Sequence, residues 1–463
     1  MERLKLKSNN KFLFRWFLSL AIPVGLQNLL TYSVALMDSI MVGSLGEVQL
    51  SAVTIANQTF FLLMICIYGL ATGASVLISQ YWGEKDTRTI AKVFGIVLRL
   101  SLLAGAVATV SVIAAPYQVM AMYTNDHQVI EYGAQYLPLV GLSFLPYAFT
   151  NTYLTCVRSV ERVKIAVITY SISFAVNVFF NYVFIFGKFG APAMGVAGAA
   201  MGTVIARLSE LAIVLVYAKK EQRVKLSFKC LVQNDKLLWK DYLRYALPVV
   251  VNEMAWSVGM SVQTSILGHM GVTAVTTVGI ISTVMRVTTI FVYGSASATL
   301  VIIGKYIGEQ QYDTARKSAN ALVWANILIA GLSAAALLLL KNVFMGLYTL
   351  TPETYAALDA TMYVAAFIVI MQAIGLSCVV GVFRGGGDTM FCMILDIITM
   401  WAMALPLGAL GGFVWHLSIP VVFLFLRFDE VVKVFICLWR LKSGKWLNNV
   451  TRANKDKDAF AGC

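Results

Sequence analysis

The first long apolar segment of the chain returns 225 residues later with its turns and breaks in place. Residues 21–92 laid over 246–317 without a gap give 18 identities in 72 positions. They include Pro23/Pro248, Gly43/Gly268, Gly46/Gly271, Gly69/Gly294, Tyr81/Tyr306, Gly83/Gly308, Glu84/Glu309 and Lys92/Lys317. Chance matches between apolar stretches fall mostly on common aliphatic residues, not on prolines, glycines and a Gly-Glu pair together. The chain is therefore two copies of one unit, which is a usual architecture for membrane carriers.

Lipid is the solvent this unit needs. The 463 residues are 59% hydrophobic and 13% charged, with a mean hydropathy of +0.77. A soluble domain cannot bury so much apolar surface. Twelve apolar segments are predicted near 15–42, 51–81, 90–118, 129–156, 163–187, 192–218, 241–267, 273–306, 318–340, 354–383, 389–412 and 414–440. Most exceed the roughly 20 residues that cross the hydrocarbon layer, which implies tilt or extension beyond it. The expected fold class is an all-α polytopic membrane protein of twelve transmembrane helices in two six-helix repeats. The expected organisation is an N-lobe (1–218), a basic linker (219–240), a C-lobe (241–442) and a polar tail (443–463) that reads as disordered.

The formal net charge is +13. Its placement argues against a nucleic-acid partner. Lys and Arg crowd the start (Arg3, Lys5, Lys7, Lys11, Arg15), then 85–92, 158–164, 219–244, 305–317, Arg384 and the end from Arg440. The intervening connections near 43–50, 119–128 and 268–272 carry none, with Lys188 and Lys341 as exceptions. That alternation is the positive-inside pattern. It puts both termini in the cytoplasm, fits an even number of spans and points to the cell (inner) membrane. Both repeats then start on the same side, so their symmetry axis runs along the membrane normal. The first apolar stretch is too long for a signal peptide and reads as a retained span.

Seven cysteines are scattered, with no metal-ligand spacing and no external pair, so neither a metal nor a structural disulfide is read from them. His127, His269 and His416 fall at predicted external ends. No Ser-His-Asp or HExxH arrangement and no Walker-type phosphate loop is found, so neither hydrolytic chemistry nor ATP use is expected and no cofactor is implied. The run Gly195-Val-Ala-Gly198-Ala-Ala-Met-Gly202 lets helix backbones approach closely in lipid and reads as packing.

Several motifs together carry a family resemblance. In the first repeat they are Pro23, Asp38-Ser-Ile-Met-Val-Gly43-Ser-Leu-Gly46, Gly69-Leu-Ala-Thr-Gly73 and Gln80-Tyr-Trp-Gly83-Glu84. Arg158 follows, with Phe383-Arg384-Gly385-Gly386-Gly387-Asp388-Thr389 as its counterpart in the second half. The stretch Asn177-Val-Phe-Phe-Asn181, continued through Gly187 and Met194 to Thr203, completes the set. In order, spacing and duplication the chain resembles the MATE (multidrug and toxic compound extrusion) family. The resemblance implies two six-helix lobes facing a central cavity and alternating access driven by Na⁺ or H⁺. It also implies export of amphipathic, often cationic, drug-like compounds. A single chain is expected to suffice. The alternatives are a lipid-linked oligosaccharide flippase of the same superfamily, which would need an Arg-rich cavity, and an uncoupled channel or scaffold.

Within the spans, Asp38 is the sharpest candidate. A carboxylate inside the membrane must bind a cation, hold a proton or face water. The resemblance assigns a coupling acid here, fifteen residues after Pro23, which reads as a helix hinge because proline removes one backbone hydrogen bond. Asn177 and Asn181, four apart on one helix face, and Thr203 are its expected partners. Together they could hold a Na⁺ at Asp38, Asn177 and Asn181 or share a proton. One branch of the family carries Asp where this chain has Asn181. Glu253 is the second membrane acid and a further coupling candidate, with pairing to a basic residue as its competitor. Tyr32, Tyr68, Tyr147, Trp256 and Met260 are candidate cavity-lining residues, since aromatic and Met surfaces accept varied cationic ligands. Arg99, Arg207, Arg286 and Arg427 interrupt spans. They read as snorkelling or paired, Arg207 with Glu210, and others with Asp396 or with Asp429 and Glu430.

Overall fold

A computed structural model describes residues 10–221, 235–346, 348 and 350–452. Arg3, Lys5, Lys7, Cys230, the middle of the basic linker and residues 453–463 lie outside the described residues.

The structure is helical. In chain order the helices are α1 Asn10–Gly43, α2 Glu47–Glu84, α3 Thr87–Ala114, α4 Pro116–Ala121, α5 His127–Gly141, α6 Phe144–Ser159, α7 Lys164–Phe186 and α8 Val196–Lys220. The second copy comprises α9 Lys236–His269, α10 Val272–Thr288, α11 Ile290–Gly308, α12 Tyr312–Met345 and α13 Pro352–Leu376, which is extended by wider turns over Ser377–Phe383. Then come α14 Thr389–Ile397, α15 Leu405–Ala409, α16 Ile419–Leu426 and α17 Phe428–Ser443, with wide turns at Ile398–Ala404 and Leu410–Val414. The predicted segments are all occupied by helix. Among the described residues nine helical stretches are long and apolar enough to cross a membrane by themselves. The predicted spans 129–156 and 414–440 are divided, α5/α6 at Leu142–Ser143 and α16/α17 at Arg427, and 241–267 is the continuous α9, which is not among the nine; 273–306 is also divided, at Thr289, with α11 counted. The first break has a local reason. Pro146 stands in the opening turn of α6, where its missing N–H is not needed.

Two compact units emerge, and they do not follow the repeat boundary. One contains the described residues of 26–74 and 86–243, the other the described residues of 1–25, 75–85 and 244–463. The chain therefore leaves one unit and enters the other inside α1, two residues after Pro23, and again inside α2 between Ala74 and Ser75.

The repeated glycines have two distinct physical reasons. Gly46 and Gly271 occupy φ +135° and +111°, a backbone region that other residues avoid, at equivalent turns before α2 and α10. Gly83 and Gly308 meet each other instead, within the second unit. A Cβ on Gly83 would fall 2.2 Å from the Lys305 carbonyl, and one on Gly308 would fall 1.9 Å from the Gln80 carbonyl. The two copies touch here through equivalent residues, so neither position tolerates a side chain. Pro23 is flanked by a similar crossing, where a Cβ on Gly294 of α11 would sit 2.8 Å from the Gly25 nitrogen.

The expectation of a disordered tail fails for residues 444–451. Trp446, Val450 and Thr451 are fully buried. The Val450 amide donates to Gln80 Oε1 at 2.8 Å, Gln80 Nε2 donates to the carbonyls of Gly385 and Asn448, and Thr451 bonds Glu84. Gly385-Gly386-Gly387 is the seat for this segment: a Cβ on Gly386 would meet the Trp446 carbonyl at 2.2 Å. Local composition reads as polar, but the buried Trp446 and the bonds to Gln80 hold the segment in place.

Candidate functional site

In the first unit, α1 brings Asp38 to the face of α7 that carries both asparagines. Asn181 Nδ2 donates to Asp38 Oδ1 at 2.5 Å and to Asn177 Oδ1 at 3.3 Å. Asn177 and Asn181 are almost completely buried, and Asp38 is partly so. Asn177 Nδ2 lies near the same carboxylate but closes no hydrogen bond of ordinary geometry. The glycine run of α8 creates this arrangement. A Cβ on Gly202 would stand 2.1 Å from Asn181 Oδ1, and one on Gly198 would stand 2.5 Å from the Phe184 carbonyl. The packing motif is thus also the wall that fixes Asn181. Thr203, expected beside them, donates its hydroxyl to the Ala199 carbonyl of its own helix at 3.1 Å. It lies next to the site without a bond into it.

Arg207 is within electrostatic reach of Asp38 but is engaged elsewhere. Its Nη1 donates to both oxygens of Glu210 at 2.8 and 3.1 Å, as the spacing predicts. Ser173 adds a third bond to Glu210, and the guanidinium lies over Tyr147 at 5.1 Å. Tyr147 is buried in this cluster. Tyr136, unremarked in the sequence, is also close enough to sense the Asp38 charge and donates to Asn57 at 3.3 Å. Asp38 therefore has a neutral amide rather than a cationic side chain as its bonded partner. Tyr32 and Tyr68 are half-buried in the same unit.

In the second unit, Glu253 of α9 accepts from Arg384 Nη1 at 2.8 Å, and Arg384 is 2% exposed. Arg384, named in the sequence only as part of a glycine-rich motif, is thus the buried counter-ion of the membrane acid. Met260 is half-buried, while Trp256 lines a small, partly open pocket with Asn252, Met400, Trp401 and three charged residues.

Those three belong to a cluster that the sequence reading did not assemble. Lys433 Nζ lies 2.9 Å from Asp429 Oδ2, 3.2 Å from Glu430 Oε2 and 3.5 Å from Asp396 Oδ1. Asn252 Nδ2 donates to Asp396 Oδ2 at 2.8 Å. The acids expected to take arginines take a lysine. The i,i+3 and i,i+4 spacing of Asp429, Glu430 and Lys433 was a readable signal, whereas Asp396 comes from another helix.

A duplicated helical bundle with ionisable groups held inside its spans defines a polytopic membrane protein of the transporter class. The family model described as MatE matches residues 23–183 and 248–410, one match in each repeat, and the chain belongs to the MatE family. Among relatives, the uncharacterized transporter YisQ of Bacillus subtilis (strain 168) is 26% identical over 434 residues, spanning 93% of this chain and 94% of the relative. The probable multidrug resistance protein NorM of Rhizobium meliloti (strain 1021) is 25% identical over 418 residues, spanning 87% and 89%. A crystal structure of MATE in complex with MaL6 matches with a TM-score of 0.85 at 19% identity, covering 95% of this chain and 98% of that one. A point mutant of the Vibrio cholerae MATE transporter VcmN gives a TM-score of 0.86 at 16% identity, covering 95% and 99%. These likenesses show the fold, twelve transmembrane helices in two repeats.

Proposed function

We propose that this chain is a cation-coupled antiporter that exports amphipathic, often cationic, drug-like compounds by alternating access. It works as a single chain in the cell (inner) membrane with both termini in the cytoplasm. Two kinds of support meet here. Relatives along nearly the whole length are named as multidrug resistance proteins. The observation that carries the reading is Asp38, a membrane carboxylate bonded to Asn181 and not to a cationic side chain. Such a group is tolerable in lipid when a proton or Na⁺ visits it. Asn181, itself bonded to Asn177, holds the carboxylate in place for that visitor, and Pro23 lies two residues before the point where α1 leaves one compact unit for the other. A change of charge on Asp38 can then alter how α1 bends at the residue where its hydrogen-bond ladder is already broken.

The magnitudes suffice. One charge crossing a ~100 mV potential supplies about 2.3 kcal/mol. A tenfold ion gradient adds about 1.4 kcal/mol. One ion can thus support a drug gradient of several hundred-fold. The partly buried Arg207 and the buried Arg384 each pair with a glutamate, which weighs against the pyrophosphate-binding flippase.

The test is dye efflux in everted vesicles under imposed gradients. A Na⁺ gradient in pH-clamped buffer and a pH gradient in Na⁺-free buffer separate the two coupling ions. Export driven by one of them supports antiport; export driven by neither refutes it and leaves a channel or scaffold.

A further inference from the structure

The Asp396, Asp429, Glu430 and Lys433 cluster has no part in the Asp38 site, and its charges do not balance. Asp429, Glu430 and Lys433 are 4%, 5% and 6% exposed. Arg427, between α16 and α17, adds a more distant positive charge. Three carboxylates against two cations leave one negative charge in a medium that does not tolerate it. Among the described residues, no other group facing the cluster corrects this. Asn252 is neutral, the thiols of Cys378, Cys392 and Cys437 carry no positive charge, and the pairs Glu253–Arg384 and Asp388–Arg440 balance themselves.

A second observation concerns the carboxylate of Asp429. Asp429 Oδ1 is buried with no hydrogen-bond partner, although Oδ2 of the same carboxylate is bonded to Lys433. Asp429, Asp396 and Lys433 all line the cavity beside Trp256 and Trp401. A buried carboxylate oxygen without a donor is expensive unless it carries or receives a hydrogen. A metal ion does not suit the site, because Lys433 Nζ already occupies the point where the carboxylates converge. Among the described residues no three acid, His or Cys side chains are arranged to hold a metal.

We propose that Asp396, Asp429, Glu430 and Lys433 form a proton-binding site that holds one exchangeable proton, reached through the cavity beside Trp256 and Trp401. On uptake an O–H bond forms at a carboxylate oxygen as one O–H bond of a cavity hydronium breaks, leaving water; release is the reverse. As a binding site this stands alone. As a second proton in the transport cycle it rests on the antiport reading above.

Tryptophan emission of the full-length chain in nanodiscs, followed against pH, reads the site directly. The wild type is expected to show a transition that disappears in the Trp256→Phe, Trp401→Phe double variant. Asp429→Asn with Glu430→Gln is expected to abolish it, while Asp38→Asn retains it. Lys433→Gln removes the stabilising ammonium, so the midpoint moves to higher pH by roughly tenfold or more in proton concentration. Should the acid variants fail to fold, the Lys433→Gln shift and the tryptophan control still decide. A flat wild-type profile, or a transition that persists unmoved in the acid and lysine variants, overturns the proposal. Failure of antiport shows differently, as vesicles that export no dye under either gradient while the titration survives.

Discussion

Asp38 and Glu253 look alike in the sequence, two carboxylates inside spans, but their surroundings separate them. Asp38 is met by a neutral amide, Glu253 by the nearly fully buried Arg384. The difference makes opposite predictions. Glu253→Gln removes the carboxylate bonded to a buried guanidinium, and removing one partner of a buried ion pair costs about 3–5 kcal/mol. The expected result is a lower thermal midpoint and less protein in the membrane, recovered in part by Arg384→Met on the same background. Equal stability of Glu253→Gln and wild type in a thermal-shift assay would contradict that pairing. At Gly202 the geometry is steric. The added methyl of Gly202→Ala stands 2.1 Å from Asn181 Oδ1, so Asn181 must move away from Asp38. We expect weakened gradient-driven efflux and a stability loss of about 1–3 kcal/mol, as for other overpacked sites. Retained coupling in a variant that is destabilised alone would show that Asn181 does not serve Asp38.

Among the elements, helices were legible because lipid leaves few alternatives: apolar length alone forces a backbone to satisfy its own hydrogen bonds. The breaks inside spans were less so. Thr289 and Arg427 interrupt runs whose composition gives no turn signal, and the widened turns of α13 and α14 depend on tertiary packing. Gly195–Gly202 was readable as a packing run, yet its part in seating Asn181 needed coordinates. The lysine that faces Asp396 was hidden for the same reason, since the contact is formed between helices. The Gly83/Gly308 crossing allows a direct check. Gly308→Ala puts a methyl 1.9 Å from a backbone carbonyl, which no rotamer change relieves. Its loss of stability should exceed that of Gly279→Ala, whose Cβ meets nothing within 4 Å. Similar melting temperatures for the two would contradict a close contact between the copies.

For the whole molecule, the repeat and the fold were readable from residues 21–92 and 246–317, while the division into compact units was not. Sequence similarity follows gene duplication; compactness follows contacts, and the starts of α1 and the end of α2 contact the second copy. The same division places Pro23 beside the passage from one unit to the other, which gives the hinge reading its structural setting. Coupling requires that what happens at Asp38 be felt along α1. The most direct measurement compares wild type with Asp38→Asn in reconstituted vesicles, following dye exchange without a gradient and dye accumulation against one. The account predicts that Asp38→Asn, inserted and as thermally stable as wild type, keeps passive exchange but loses gradient-driven accumulation. Undiminished uphill accumulation by that variant, under the gradient that drives wild type, would contradict it.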